Sequence, residues 1–214
     1  DGTILFSGSK ALASGNNYFW LTYDISGSAT EYHVVDGTCT QFETSETELA
    51  RIPAVSNPAG SRTIRRPLIG TYTVANSGGN YSTLGAAVAD LNQFGISGPV
   101  IFNIAAGQFF NEPSPISISQ TGTAVQTITF RKNGSGANPV FSFTGTAAIE
   151  DYAIQVLGCD YLLFDGIEIR DAGTGSANYI EYGFHFLASD NWNGCQHNSI
   201  KNCTVSLTKE NYNS

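Results

Sequence analysis

Two neighbouring segments, residues 152–169 and 182–205, share one pattern of polar and apolar positions. In each of them, an alternating apolar strand is followed by a polar corner and a second short apolar strand. A unit of this kind buries only one face, and it gains cover by stacking on a similar unit. Because no helix separates the two copies, the pattern predicts successive coils of a parallel β-helix.

The two copies differ in length. Matching positions are 30 residues apart at Tyr152 and Tyr182, and 37 residues apart at Leu163 and Ile200. The second copy is therefore predicted to contain seven extra residues (37 − 30 = 7), most simply Asn191 to His197. This insertion is the segment of the repeat that is of most interest for binding.

An amphipathic helix is predicted from about residue 82 to residue 94. Ser82 or Thr83 can cap its first turn, and Gly95 can end it. The residues at helical spacing on its apolar face are Leu84, Ala87, Val88 and Leu91. A helix at this point would cover the open cross-section of the first coil and so prevent end-to-end association.

Residues 1–66 are predicted to form a separate β-sandwich module whose beginning is missing. Short strands there are separated by Gly, Ser, Asn and Pro turns, and the strand at residues 17–26 has one wholly apolar face. Residues 67–71 are predicted as a linker. Residues 72–214 are predicted as the helix-capped β-helix, which we expect to continue beyond Ser214. The predicted fold class is therefore all-β.

Composition and charge narrow the classes of partner. The net charge is −8 and the pI is about 4.7, which argues against nucleic acid and anionic membranes. No apolar run approaches the ~20 residues that span a bilayer, so no membrane insertion is predicted. Because Met is absent, we expect a piece of a longer mature polypeptide from which any signal peptide has been removed.

The four cysteines, at positions 39, 159, 195 and 203, lack C-x-x-C spacing, which argues against a zinc site. Cys159 matches Ser189 in the repeat, so it is expected one coil from the insertion that carries Cys195. A disulfide between Cys159 and Cys195 that fixes the insertion is one interpretation. Free thiols are the other, and the sequence leaves both open.

Acidic residues recur at one corner of the repeat. Asp160 matches Asp190, so the two carboxylates are expected on adjacent coils, about one strand spacing apart. Such a pair could share a Ca²⁺ ion or raise the pKa of one carboxyl group. The alternative, which the ordinary chemistry of turns favours, is an exposed corner with two solvated acids. No other cofactor is predicted.

The predicted insertion contains a tryptophan among amides. Trp192 could stack on a sugar ring while Asn191, Asn193 and His197 bind its hydroxyl groups. In the alternative, the loop folds Trp192 back over the neighbouring coil. General burial tendencies of large aromatic side chains favour this second arrangement.

A resemblance to a known family covers most of the chain. The stretch SGNNYFWLTYDISGSAT, followed by VVDGTCT and PAGSRTI, resembles a module of secreted multidomain proteins from bacteria with a type IX secretion system. Gly37 stands where that module usually has Ala. The segment at residues 70–109 is similar to the opening of the pectate-lyase-like β-helix regions of the same proteins. The resemblance implies a partial β-sandwich followed by the helix-capped start of a right-handed parallel β-helix.

The resemblance also carries expectations about location and function. It implies contact with the secretion machinery during export and a final position outside the cell or on the bacterial cell surface. No catalytic motif of lyases or sialidases is matched, so no catalytic residue is assigned. Our hypothesis is a non-catalytic, adhesin-like protein whose β-helical stalk presents loops to glycans or cell-surface polysaccharide. The alternative is a polysaccharide lyase or glycoside hydrolase with its active groove on later coils.

Overall fold

The structure is a computed structural model, and it divides into two compact units, Asp1–Ile64 and Arg65–Ser214. The residues that the structure describes are 4–6, 8, 10–18, 20, 22–43, 50–57, 59–112, 115–146, 151–175 and 178–208.

The first unit contains two short antiparallel pairs. Strand β1 (Val34–Val35) pairs with β4 (Arg62–Thr63), and β2 (Phe42–Glu43) pairs with β3 (Ala50–Arg51). These pairs form two separate two-stranded sheets. A β-sandwich requires two facing sheets, and these two short pairs do not confirm one.

The strand predicted at residues 17–26 is absent from the described residues of that stretch. Phe19 and Leu21, half of its predicted apolar face, lie outside the described residues. The other half, Tyr23 and Ile25, is 46% and 45% exposed. Alternation alone specifies a strand only when a second layer covers the apolar face, and no described residue of this unit supplies that cover.

The second unit is a parallel β-solenoid of about four turns, which confirms the predicted coils and is consistent with a right-handed β-helix. Each complete turn adds one strand to each of three parallel sheets. Its elements are β5 (Leu68–Val74), α1 (Leu84–Phe94), β6 (Ile96–Ala105), β7 (Phe109–Asn111), β8 (Ile116–Ile118), β9 (Ile128–Asn133), β10 (Val140–Phe143), β11 (Tyr152–Leu157), β12 (Leu162–Asp165), β13 (Glu168–Asp171), β14 (Tyr182–Leu187), β15 (Ser199–Lys201) and β16 (Thr204–Ser206).

The three sheets have the strand orders β5-β6-β9-β12-β15, β7-β10-β13-β16 and β8-β11-β14. Residues 68–71, predicted as part of a linker, belong to β5 and pair in parallel with β6. The structured solenoid therefore begins earlier along the chain than the sequence pattern indicates.

Columns of aromatic rings fill the core. Phe102, Phe130 and Phe164 occupy equivalent positions on successive turns, with ring centroids 4.9 and 5.1 Å apart and nearly parallel planes. Phe110 and Phe141 form a second pair at 4.9 Å. Parallel in-register pairing places equivalent side chains one strand spacing apart, which is the separation at which rings stack.

Helix α1 agrees with its prediction. The Thr83 hydroxyl accepts a hydrogen bond from the Ala86 N–H, and Gly95 ends the helix with φ of 68°. The four predicted apolar residues are buried in the same core as the strands. Glu112 supplies a contact that the sequence did not indicate, because its carboxylate accepts hydrogen bonds from the N–H groups of Leu84 (2.7 Å) and Gly85 (3.1 Å).

The register of the repeat confirms one predicted offset and corrects the other. Tyr152 pairs with Tyr182, at the predicted separation of 30 residues. In the next strand, however, Ile200 pairs with Phe164 and not with Leu163, so the separation there is 36 (200 − 164). The second copy therefore contains six extra residues (36 − 30 = 6) rather than seven.

Candidate functional site

The extra residues form a loop between β14 and β15. Leu157 and Leu187 are still paired, and pairing resumes where the Tyr161 N–H donates to the Gln196 carbonyl. The six extra residues therefore lie within residues 188–194, which we call the Trp192 loop. The predicted insertion placed three residues too many at its end: Cys195, Gln196 and His197 belong to the regular coil, at the positions that correspond to Cys159, Asp160 and Tyr161.

Hydrogen bonds hold the Trp192 loop in one conformation. The Asp190 carboxylate accepts from the N–H groups of Trp192 (2.7 Å) and Asn193 (2.9 Å). The Ser189 N–H donates to the Asn193 carbonyl at 2.9 Å, which closes the loop. The Asn193 side-chain amide donates to the carbonyl of Gly158 at 3.1 Å, so the loop is also tied to the preceding coil.

Trp192 is 95% exposed, so the indole does not fold back over the neighbouring coil. The alternative that burial tendencies favoured is therefore wrong. The side chain of Asn191 is also exposed beside it. The amide nitrogen of Asn193, in contrast, is engaged by Gly158 and Ser189 and therefore braces the loop. The loop thus presents one large aromatic surface on a fixed base.

His197 lies outside the Trp192 loop, at a corner of the coil. Its ring stacks on that of Tyr161, with centroids 4.5 Å apart and planes 18° from parallel. Both residues have left-handed backbone conformations, with φ of 56° for His197 and 57° for Tyr161. The equivalent conformations confirm that the two residues occupy the same corner on successive coils.

Asp160 and Asp190 do not form the predicted stacked pair. The register places Gln196 next to Asp160, whose carboxylate accepts a hydrogen bond from the Gln196 N–H. Asp190 lies in the Trp192 loop, where its carboxylate binds two backbone N–H groups. Among the described residues, no group of three or more His, Cys, Asp or Glu side chains could hold a metal ion. A Ca²⁺ ion shared by these two carboxylates stays a prediction.

Cys159 and Cys195 are both free thiols and occupy equivalent positions on successive coils. The Cys159 thiol donates to the carbonyls of Leu157 and Ile118, and the Cys195 thiol donates to that of Val156. Burial raises the pKa of the Cys159 thiol to about 11, and the neighbouring Cys195 thiol contributes to this shift as the second-largest cause. The structure therefore agrees with the interpretation of free thiols and not with that of a disulfide. Because Cys195 follows the loop, the pair would not fix the loop directly.

The sequence reasoning missed an aromatic cluster on the outer face of β11 and β14. His185 stacks on Tyr182, with ring centroids 4.6 Å apart and planes 10° from parallel, and Tyr152 lies 5.8 Å from His185. We call these three residues the Tyr182 platform. The signal that could have revealed the cluster is the repeated acid–tyrosine pair, Asp151–Tyr152 and Glu181–Tyr182.

Neutral polar groups continue the row of His185. Ser117, Gln155 and His185 are neighbours in register across β8, β11 and β14. The Ser117 hydroxyl lies 3.1 Å from the side-chain oxygen of Gln155, to which it donates. The Nδ1 atom of His185 is shielded from solvent and has no hydrogen-bond partner among the described residues. The side chains of Ser117 and Gln155 therefore add neutral hydrogen-bonding groups beside His185.

Among the described residues, two carboxylates are buried, those of Glu112 and Asp151, and both accept hydrogen bonds from nearby protein groups. Glu112 binds the first turn of α1, and burial raises its pKa although those hydrogen bonds oppose the shift. Asp151 accepts hydrogen bonds from the Thr146 hydroxyl and from the Thr146 N–H. These contacts give both carboxylates a local structural role, at the first turn of α1 and in the segment before β11.

Comparison of the chain with protein-family models, with curated proteins and with solved structures gives no match. Within the described residues, no helix has the length and apolar character needed to cross a membrane. The Trp192 loop and the sheet beside it are therefore the features of the molecule that bear on function.

Proposed function

We propose that this chain is a non-catalytic surface protein whose β-helix presents the Trp192 loop for glycan binding. The observation that carries the proposal is the 95% exposure of an indole on a loop that backbone and side-chain hydrogen bonds fix in place. An exposed tryptophan on a soluble protein offers a flat apolar face, which suits the C–H face of a sugar ring.

The fixed base of the loop supports this role. A flexible loop loses conformational entropy when it closes on a ligand, whereas a preformed loop avoids most of that loss. Asp190 and Asn193 provide the preformed geometry, and the exposed side chain of Asn191 supplies amide groups beside the indole. His197 binds no sugar in this proposal, because its ring stacks on Tyr161 at a separate corner.

Export by a type IX secretion system and location on the cell surface are part of the proposal. They rest on the resemblance of the segments between residues 14 and 64 to modules of exported surface proteins. Protease treatment of intact producing cells would test this part by itself. Degradation of the chain without cell lysis is expected, and protection of the chain until lysis would contradict the location.

A glycan array tests the binding function. Labelled wild-type protein should bind a subset of glycans, and Trp192→Ala should weaken that binding by about tenfold or more, as for a central aromatic contact. Phe109→Ala is the matched control, because Phe109 is an aromatic residue that is 52% exposed on a different sheet. Equal binding by wild type and Trp192→Ala, or no binding by wild type, would contradict the proposal.

A further inference from the structure

Strand β14 connects two aromatic surfaces. The Tyr182 platform lies at the beginning of this strand, and the Trp192 loop follows its last residue, Leu187. Five residue steps at about 3.3 Å each place Tyr182 roughly 17 Å from Leu187 along the strand. A ligand that touches both surfaces must therefore be extended and longer than a single sugar ring.

The Tyr182 platform has the form of a preset ring-binding surface. Tyr182 is 40% exposed, and its ring is held nearly parallel to that of His185. Tyr152 contacts His185 from the neighbouring strand, which restricts the imidazole further. Fixed aromatic rings bind a flat apolar face with little loss of side-chain entropy.

The groups beside these rings are suited to hydroxyls. Ser117 and Gln155 continue the row of His185 across the sheet, and both are neutral hydrogen-bonding side chains. The Nδ1 atom of His185 is left without a protein partner among the described residues. Because this atom is shielded from solvent, the hydroxyl contacts fall to the side chains of Ser117 and Gln155.

The charges around this face select against anionic ligands. Strands β8, β11 and β14 and the Trp192 loop contain no Lys or Arg, whereas Glu181 and Asp190 lie at the two ends of β14. The whole chain has a net charge of −8. An acidic polysaccharide would therefore meet like charge along its length, and a neutral one would not.

We propose that the glycan ligand is an extended, neutral polysaccharide strand that lies along the outer face of β14 and contacts both the Tyr182 platform and the Trp192 loop. This inference rests on the proposed glycan-binding function and names the class of ligand for it. The two surfaces act as linked subsites, so that occupation of one raises the effective concentration of the sugar at the other.

Titration calorimetry with oligosaccharides of increasing length tests the inference. The probes are neutral cello- and manno-oligosaccharides, from disaccharide to octasaccharide, with oligogalacturonates of the same lengths as acidic counterparts. For wild type, the affinity for a neutral series should rise with length by at least about tenfold, as expected for two linked subsites. The oligogalacturonates should bind more weakly at every length.

Variants of the two aromatic surfaces test which residues cause the rise in affinity with oligosaccharide length. Tyr182→Ala and Trp192→Ala should each abolish the gain with length, so that the octasaccharide binds no more tightly than the disaccharide does to wild type. Phe109→Ala should keep the gain. Tyr182→Phe, which retains the ring, should also keep most of it, and this variant separates loss of the ring from loss of folding.

The outcomes distinguish this inference from the function on which it rests. If Trp192→Ala loses binding but Tyr182→Ala retains the full gain with length, the linked site is wrong and the glycan-binding function stands. If oligogalacturonates bind more tightly than the neutral series, the assignment of a neutral ligand is wrong. If wild type binds neither series nor any glycan on the array, both proposals fail.

Discussion

The carboxylate of Asp190 accepts a hydrogen bond from the backbone N–H of Trp192 at 2.7 Å, and a second one from the next residue at 2.9 Å. This short-range turn holds the indole away from the coil. Two properties can therefore be tested by separate mutations: the presence of the indole by changing Trp192, and its fixed position by changing Asp190.

Asp190→Ala should therefore loosen the loop without unfolding the solenoid. We expect glycan affinity to fall several-fold and the free energy of unfolding to change by less than about 1 kcal/mol, because an exposed loop turn contributes little to the core. Fluorescence anisotropy of Trp192, measured in a Trp20→Phe background, should show faster local motion. An unchanged anisotropy in Asp190→Ala would show that the turn does not restrain the indole.

The phenylalanine column should dominate the stability of the solenoid. Phe130 is fully buried between Phe102 and Phe164, so Phe130→Ala should lower the free energy of unfolding by about 3–5 kcal/mol through lost burial and a new cavity. Phe109→Ala, at an exposed position, should change it by only about 0.5 kcal/mol. Urea unfolding followed by circular dichroism measures both, and equal effects would contradict the assigned core.

Glu112, which binds the first turn of α1, should make the free energy of unfolding depend on pH. Burial raises its pKa above the ordinary value of 4.5. A carboxyl whose pKa is raised in the folded state favours folding fully below its ordinary pKa, and this contribution is lost as the pH rises through the raised value. Relative to Glu112→Gln, which does not titrate there, wild type should become more stable as the pH is lowered from neutral towards 4.5.

Parallel urea titrations of wild type and Glu112→Gln across this pH range measure that difference. A difference that is constant with pH would contradict the raised pKa. Glu112→Ala provides a further comparison, because it removes both acceptors from the first turn of α1 and should cost about 1–3 kcal/mol.

The cysteines should differ strongly in reactivity. Cys39 is exposed, whereas Cys159 is buried and its pKa is raised to about 11. Because the thiolate is the reactive form, iodoacetamide at mildly alkaline pH should label Cys39 rapidly and Cys159 only after denaturation. Mass spectrometry of peptides after timed labelling checks the order. Labelling of native Cys159 as fast as Cys39 would show that its thiol is accessible.

The coils could be predicted from the sequence because every turn repeats the same alternation of apolar and polar residues. The offset of 30 at Tyr152 and Tyr182 was found from that alternation. The second offset was missed because Leu163 and Phe164 are both apolar, and periodicity could not decide which one faces Ile200. Gly166 and Asn202 indicate the correct offset. Both have positive φ, a conformation that glycine and asparagine favour, and they are 36 residues apart (202 − 166).

The orientation of Trp192 could not be predicted from residue type. Its exposure depends on the closure of the loop by Asp190 and on the bond from Asn193 to the preceding coil, and both contacts are visible only in three dimensions. The Tyr182 platform was missed for a similar reason. Tyr182 and His185 are three residues apart, and an ideal alternating strand would place them on opposite faces.

The column of Phe102, Phe130 and Phe164 has a mechanical consequence. Each of these rings stacks on the equivalent ring of the adjacent turn, so each turn is held mainly by its immediate neighbours. Under tension applied along the axis, such a solenoid lengthens by peeling one turn at a time, and each released turn dissipates part of the load. A protein attached to a surface by this fold would yield in steps under shear, while the turns that remain keep their shape.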